Sequence, residues 1–125
     1  MNERILVVDD DQNMLTMCER ALEQAERGYA AVAVSSAEQA RAHLQTEQFN
    51  LMILDVRLPQ EDGMSLLRYL YESQPDLPVM IISGYPEVAN VLEAVRLHVR
   101  EYLCKPFTVS KFLAAVEASL DNWDA

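Results

Sequence analysis

The sequence predicts an α/β fold, a doubly wound five-stranded parallel sheet with helices on both faces. Near-continuous apolar tetrapeptides recur along the chain, as expected of strands buried on both faces. Longer stretches between them carry apolar residues at spacings of three and four, the mark of amphipathic helices. The connections are short, and right-handed crossovers between parallel strands then give the doubly wound arrangement.

The first strand is centred on Ile5-Leu6-Val7-Val8. Leu15, Cys18, Leu22 and Ala25 form one stripe on the first helix, and Gly28 stands where that helix should stop, because glycine accepts the left-handed conformation of a helix terminus. Ala31-Val32-Ala33-Val34 is the second strand, and Ser36 with Gln39 resembles a capping box opening a second helix through Ala40 and Leu44. Leu51-Met52-Ile53-Leu54 is the third strand; Met64, Leu67, Leu70 and Tyr71 mark the third helix. Val79-Met80-Ile81-Ile82 is the fourth strand, and Val88, Leu92, Val95 and Arg96 belong to a fourth helix starting just after Pro86. Glu101-Tyr102-Leu103-Cys104 mixes polar and apolar residues and reads as a strand at the sheet's edge. Ser110 is the candidate cap of a fifth helix carrying Phe112, Leu113, Val116 and Leu120. The 125 residues form one domain, with residues 121–125 a frayed end or the start of a linker.

Composition removes several function classes. The chain has 20 acidic and 10 basic residues, a formal net charge of −10. A nucleic-acid binder needs cationic side chains to displace counterions, and an anionic membrane surface needs them as well. Cys18 and Cys104 have neither zinc-site nor disulfide-framework spacing and are expected as small apolar residues packed inside. Met1-Asn2-Glu3-Arg4 lacks the basic start of a signal peptide, and no apolar run approaches the roughly 20 residues that span a bilayer. A cytoplasmic protein is expected. His43 and His98 are expected to face solvent, and the six methionines to fill the core.

In an open parallel sheet, ligands bind beyond the carboxyl ends of the strands. The first strand ends in Asp9-Asp10-Asp11, the third in Asp55, the fourth in Ser83-Gly84 and the fifth in Lys105-Pro106. Crowded carboxylates repel one another unless a cation compensates them. Mg²⁺ prefers oxygen ligands and is typically held by one or two carboxylates plus phosphate oxygens. Such a set suits phosphoryl transfer, which demands positioning and charge neutralisation, with Asp55 as the nucleophile that forms an acyl phosphate.

These segments together resemble the receiver domains of bacterial two-component response regulators. The resemblance is carried by Ile5-Leu6-Val7-Val8-Asp9-Asp10, by Leu54-Asp55-Val56-Arg57-Leu58-Pro59 through Asp62-Gly63-Met64, by Ile82-Ser83-Gly84 and by Tyr102-Leu103-Cys104-Lys105-Pro106-Phe107. It implies a flavodoxin-like strand order 2-1-3-4-5 and a switch that accepts a phosphoryl group on Asp55 from a partner phosphohistidine. Asp10 and Asp55 would bind Mg²⁺ directly (Mn²⁺ as a substitute), Asp9 more through water, and the Arg57 backbone carbonyl would complete the protein ligands. Asp11 matches a commonly acidic position outside the metal shell. Ser83 would hydrogen-bond a phosphoryl oxygen, Lys105 would pair with Asp55 or its phosphate, and Tyr102 would turn inward when Ser83 moves. The Lys105-Pro106 bond would be cis, a form that costs least before proline. Arg57 and Tyr85 occupy positions that tune phosphate lifetime, here by shielding the acyl phosphate from water. The family often has Gly-Ala where this chain has His98-Val99, so the fourth helix would end differently.

The resemblance further implies a sensor histidine kinase or histidine phosphotransfer protein as donor and an output domain or protein as recipient. The readout face would comprise the fourth helix, last strand and fifth helix, within residues 87–120. A homodimer formed on phosphorylation is compatible with that face. The domain would catalyse its own phosphorylation and autodephosphorylation without being a conventional turnover enzyme. Plainer readings stand beside these. Asp9 to Asp11 could simply cap the first helix, Ser83 to Pro86 could be an ordinary loop, and Tyr102 a β-favouring edge residue. Lys105 could be a surface lysine. A carboxylate at Asp55, directly after four apolar residues, is hard to explain without a partner. Two other functions compete: a Mg²⁺-dependent phosphatase or phosphotransferase, for which no insertion long enough for a substrate cap is present, and a phosphate-independent interaction module.

Overall fold

The computed structural model describes residues 2–55, 63–84 and 99–121. In chain order the elements are β1 (Glu3–Val8), α1 (Gln12–Gln24), β2 (Tyr29–Val34), α2 (Ala37–Thr46), β3 (Leu51–Asp55), α3 (Gly63–Ser73), β4 (Val79–Ser83), β5 (Val99–Cys104) and α4 (Val109–Asp121). The last of these corresponds to the fifth helix expected from the sequence; the fourth, expected over Val88 to Arg96, lies outside the described residues. The five strands are ordered β2-β1-β3-β4-β5, and every adjacent pair is parallel.

Alternation along the central strands divides the core into two layers. Leu6, Val8, Met52, Leu54, Val79 and Ile81 face one way, against Ala37, Ala40 and Leu44 of α2 and Leu66, Leu67 and Leu70 of α3. Ile5, Val7, Leu51, Ile53, Met80 and Ile82 face the other way, against Leu15, Cys18 and Leu22 of α1 and Phe112 and Val116 of α4. Burial on both faces is why β1, β3 and β4 read as unbroken apolar runs. β2 reads the same way but is an edge strand, and its four middle residues are only half-buried. Apolar continuity alone does not separate a central strand from an edge. Among the described residues, no helix is long and apolar enough to cross a membrane.

The helix boundaries depart from the sequence expectations in specific ways. Helix α1 ends at Gln24, because Ala25 is already extended (φ −61°, ψ 147°). Gly28 instead closes a separate turn into β2, with φ 71° and its N–H donating to the Ala25 carbonyl at 2.9 Å. Ser36 does cap α2 by accepting from the Gln39 N–H at 3.2 Å, but the Gln39 side chain reaches back to Ser35, accepting from its N–H at 2.8 Å. Thr108, not Ser110, caps α4: its hydroxyl accepts from the Lys111 N–H at 3.1 Å, whereas Ser110 is already inside the helix. Tyr71 is 48 % exposed; Leu66, Leu67 and Leu70 fill the inward arc of α3 and Tyr71 lies one residue beyond it. The side chain of Met64 is outside what the structure describes. Cys18 is buried as expected, but Cys104 is exposed at the tip of the edge strand β5. His43 is half-buried and pairs through Nδ1 with Glu47 one turn along α2, rather than simply facing solvent; His98 is outside the described residues.

Candidate functional site

The register of the sheet assembles the site. Val8 pairs with Leu54, so Asp9 and Asp55, the next residue of each strand, stand side by side between β1 and β3. This is where the strand order reverses, the place where α/β sheets open a crevice. Ser83 pairs with Cys104 across β4 and β5, and the Lys105 N–H donates to the Ser83 carbonyl at 2.8 Å. The lysine therefore starts next to the end of β4, and its side chain spans back to β1 and β3.

The three consecutive aspartates do three different things. Asp11 accepts from the N–H groups of Asn13 and Met14 at 2.9 and 3.4 Å, the ordinary work of a helix N-cap. Asp10 is exposed and turns its carboxylate toward the crevice, while Asp9 is fully buried. The Asp9 Oδ1 accepts from the Asp11 N–H at 2.9 Å, and its Oδ2 accepts from Lys105 Nζ at 2.9 Å. The same ammonium donates to Asp55 Oδ2 at 3.0 Å. Capping thus accounts for Asp11 and leaves Asp9 and Asp10 for the crevice.

One carboxylate oxygen from each of Asp9, Asp10 and Asp55 lies within 4.8 Å of the others. Burial pushes the Asp9 carboxyl above its usual range, against the opposing pull of the Asp11 N–H and Lys105. Burial also works against the charged form of Lys105, but its bonds to Asp9 and Asp55 outweigh this and keep the ammonium protonated. The Cys18 thiol is pushed up to about 12, first by burial and then by the negative charge of Asp9. It is therefore a neutral neighbour rather than a thiolate ligand. A cluster offering only carboxylate oxygens, partly buried and short of positive charge, has the chemistry of a hard divalent cation site.

Ser83 is fully buried at the end of β4. Tyr102 pairs with Ile81 and packs, half-buried, on the core layer of α2 and α3. The Lys105–Pro106 peptide is cis. Arg57 and Tyr85 lie outside the described residues. The sequence reading paired Lys105 with Asp55 alone and missed its bond to Asp9, 96 residues away in the chain. No local signal marks that contact, since only the side-by-side packing of β1 and β3 brings the two carboxylates under one ammonium.

Comparison with known proteins agrees with this geometry. Residues 5–117 match the family described as "Response regulator receiver domain". The chain is 32% identical over 120 residues to the alkaline phosphatase synthesis transcriptional regulatory protein PhoP of Bacillus subtilis, covering 96% of this chain and 49% of that protein. It is 31% identical over 119 residues to the DNA-binding transcriptional regulator NtrC of Proteus hauseri, covering 95% and 25%. The chain thus spans about half and about a quarter of these relatives. A CheY-like receiver domain structure from Methanospirillum hungatei superposes with a TM-score of 0.88 at 27% identity, covering 99% of this chain and 98% of that one. NtrX from Brucella abortus superposes with a TM-score of 0.87 at 27% identity over 98% of this chain and 28% of that one. Five parallel strands in the order 2-1-3-4-5, acidic and basic groups gathered at their carboxyl ends and this match over nearly the whole chain lead to one assignment: the chain belongs to the response regulator receiver domain family.

Proposed function

We propose that this receiver domain is a phosphorylation-driven switch in which Asp55 accepts a phosphoryl group from a partner phosphohistidine. The observation that carries the reading is the ammonium of Lys105 held 2.9 and 3.0 Å from Asp9 and Asp55 beside the third carboxylate of Asp10. Asp9, Asp10 and Asp55 would hold Mg²⁺, or Mn²⁺ in its place, with the Arg57 carbonyl as a further ligand; when bound, the cation offsets carboxylate repulsion and the charge of the phosphoryl oxygens. An Asp55 oxygen attacks phosphorus, the donor's P–N bond breaks, and the imidazole leaves with the electron pair and takes up a proton. Lys105 then pairs with the phosphoryl group, and Ser83 donates its hydroxyl to a phosphoryl oxygen.

Reversing a 1:99 equilibrium takes about 5.5 kcal/mol of differential stabilisation. Hydrogen bonds to charged groups contribute roughly 1.5–3 kcal/mol each, so the Ser83 bond supplies part of it, while Lys105, already paired with Asp9 and Asp55, adds only the amount by which its phosphoryl bond exceeds those pairings. Tyr102 turns inward as Ser83 moves, and the change is read on the surface to which β5 and α4 contribute. Arg57 and Tyr85 shield the acyl phosphate from water. The domain modifies itself and, on this reading, turns over no other substrate. The domain acts in the cytoplasm, and its partners are a sensor histidine kinase or histidine phosphotransfer protein and an output module of the transcriptional kind named in PhoP and NtrC.

The test is to incubate the protein with acetyl phosphate and Mg²⁺ and measure its intact mass. One phosphoryl group per chain, labile to hydroxylamine and absent from Asp55→Asn, is expected, with no uptake when EDTA replaces Mg²⁺. Uptake that survives in Asp55→Asn, or none from either acetyl phosphate or a phosphohistidine donor, would overturn the reading.

A further inference from the structure

We infer that Trp123 is held in a cleft at the amino ends of the strands, its indole N–H donated to Asp76, so that the residues leaving α4 strap the end of the sheet opposite the acidic crevice. The cleft has a volume of about 300 Å³ and is lined by Glu3, Phe49, Asn50, Asp76, Pro78 and Leu120. Glu3 opens β1, Phe49 and Asn50 lead into β3, Asp76 and Pro78 lead into β4, and Leu120 stands in the last turn of α4. Its walls join the two core layers, since Phe49 packs on the layer of α2 and α3 and Leu120 on the layer of α1 and α4. Most of its polar groups are already engaged. Arg27 donates to both oxygens of Glu3, at 2.9 and 2.6 Å, and Asn50 Oδ1 accepts from the Arg4 N–H at 2.8 Å. Among the described residues, nothing pairs with the exposed carboxylate of Asp76.

Apolar walls with one unengaged carboxylate call for an apolar body carrying one N–H donor. An indole is such a group, a large apolar ring whose Nε1–H only donates. The volume lies at the lower limit of the roughly 300–1,000 Å³ that ligand pockets occupy, which suits one bicyclic side chain. The chain has a single tryptophan. Residues 122–125 lie outside the described residues, and the helix before them sets where Trp123 falls. Phe112, Val116 and Leu120 recur every four residues along the inward face of α4, the first two fully buried and Leu120 half-buried. Trp123 follows the fully buried Ser119 by four residues and Leu120 by three, the two spacings that put side chains on one helix face. One more turn in the same sense brings the indole to the wall that Leu120 makes, with Asp76 across the cleft. Arg27 grips Asp121 in the adjoining turn, so the end of α4 is held from two sides.

Because no other tryptophan is present, the fluorescence and the indole N–H resonance of the chain report Trp123 alone. The native protein of 125 residues should emit to the blue of the urea-unfolded chain and resist acrylamide quenching several-fold better, with no change on dilution. Nuclear Overhauser contacts should run from the indole ring to Phe49, Pro78 and Leu120. Asp76→Ala, at an exposed position, should shift the Nε1–H resonance and increase quenching, while Asp76→Asn, which keeps an acceptor, should stay near the parent. Glu38→Ala, on α2, should change neither signal. An indole that emits and quenches like the unfolded chain overturns the inference and leaves the cleft to a partner's side chain. A protected indole overturns it too if it lacks those contacts or is indifferent to Asp76→Ala. Protection that is lost on dilution also overturns it, because a second copy is then what covers the ring.

Discussion

Asp9 and Cys18 show how far one buried charge reaches. Burial holds the Asp9 carboxyl above its ordinary 3.8, so the folded state keeps a proton that the unfolded chain has released. Its contribution to stability therefore falls as pH rises from about 3.8 through the raised folded value. At neutral pH, with EDTA present, the isosteric Asp9→Asn should unfold at a higher urea concentration than the parent, and the gain should shrink as pH is lowered toward 4. An unchanged or lower midpoint would remove the claim that Asp9 is held ionised at a cost. The thiol of Cys18, pushed up to about 12 in a fully buried position, should be inert to Ellman's reagent at neutral pH. Cys104 is exposed, so one thiol per native chain should react and two after unfolding, with Cys104→Ser abolishing the native reaction.

The elements that place these residues are pinned at their ends by short polar contacts. Asp11 caps α1 immediately after the buried Asp9, so the helix entrance and the acidic site share three consecutive residues. Asp11→Ala should cost about 1 kcal/mol of unfolding free energy, and Thr108→Ala a similar amount at α4. Neither loss should depend on Mg²⁺, because neither side chain belongs to the cation cluster; chemical denaturation with and without Mg²⁺ checks both. Gly28→Ala should also cost about 1–2 kcal/mol, because at φ 71° the turn needs the left-handed conformation that side chains resist.

Across the whole molecule, the two ends of the strands divide the labour. The carboxyl ends gather the charged crevice, while the opposite end is tied by Arg27. That guanidinium binds Glu3 at 2.9 and 2.6 Å and both oxygens of Asp121 at 3.0 and 3.1 Å, joining the start of β1 to the end of α4. The group is largely solvated, so Arg27→Ala should cost no more than about 1 kcal/mol in urea unfolding, and less as salt is added. Mg²⁺ that binds only the folded chain should stabilise it by about 2.7 kcal/mol at a hundredfold excess over its dissociation constant. Thermal melting of the parent should therefore shift upward with Mg²⁺, and that of Asp55→Asn by less.

The sequence by itself determined the layered α/β architecture, because strands buried on both faces must be apolar at every position, as Leu51 to Leu54 are. It also determined the chemical cast of the site, since carboxylates and a lysine that interrupt apolar runs have no reason to stand there without partners. It did not determine where helices begin and end: Thr108 rather than Ser110, and Gln24 rather than Gly28, are choices among equally plausible local residues. Nor did it determine that β2 is an edge, that Cys104 is exposed, or that Lys105 reaches Asp9. Those depend on which strands lie side by side, a property of long-range packing that spacing along the chain does not encode. The tertiary structure decided them, by bringing two buried carboxylates close enough to share one ammonium.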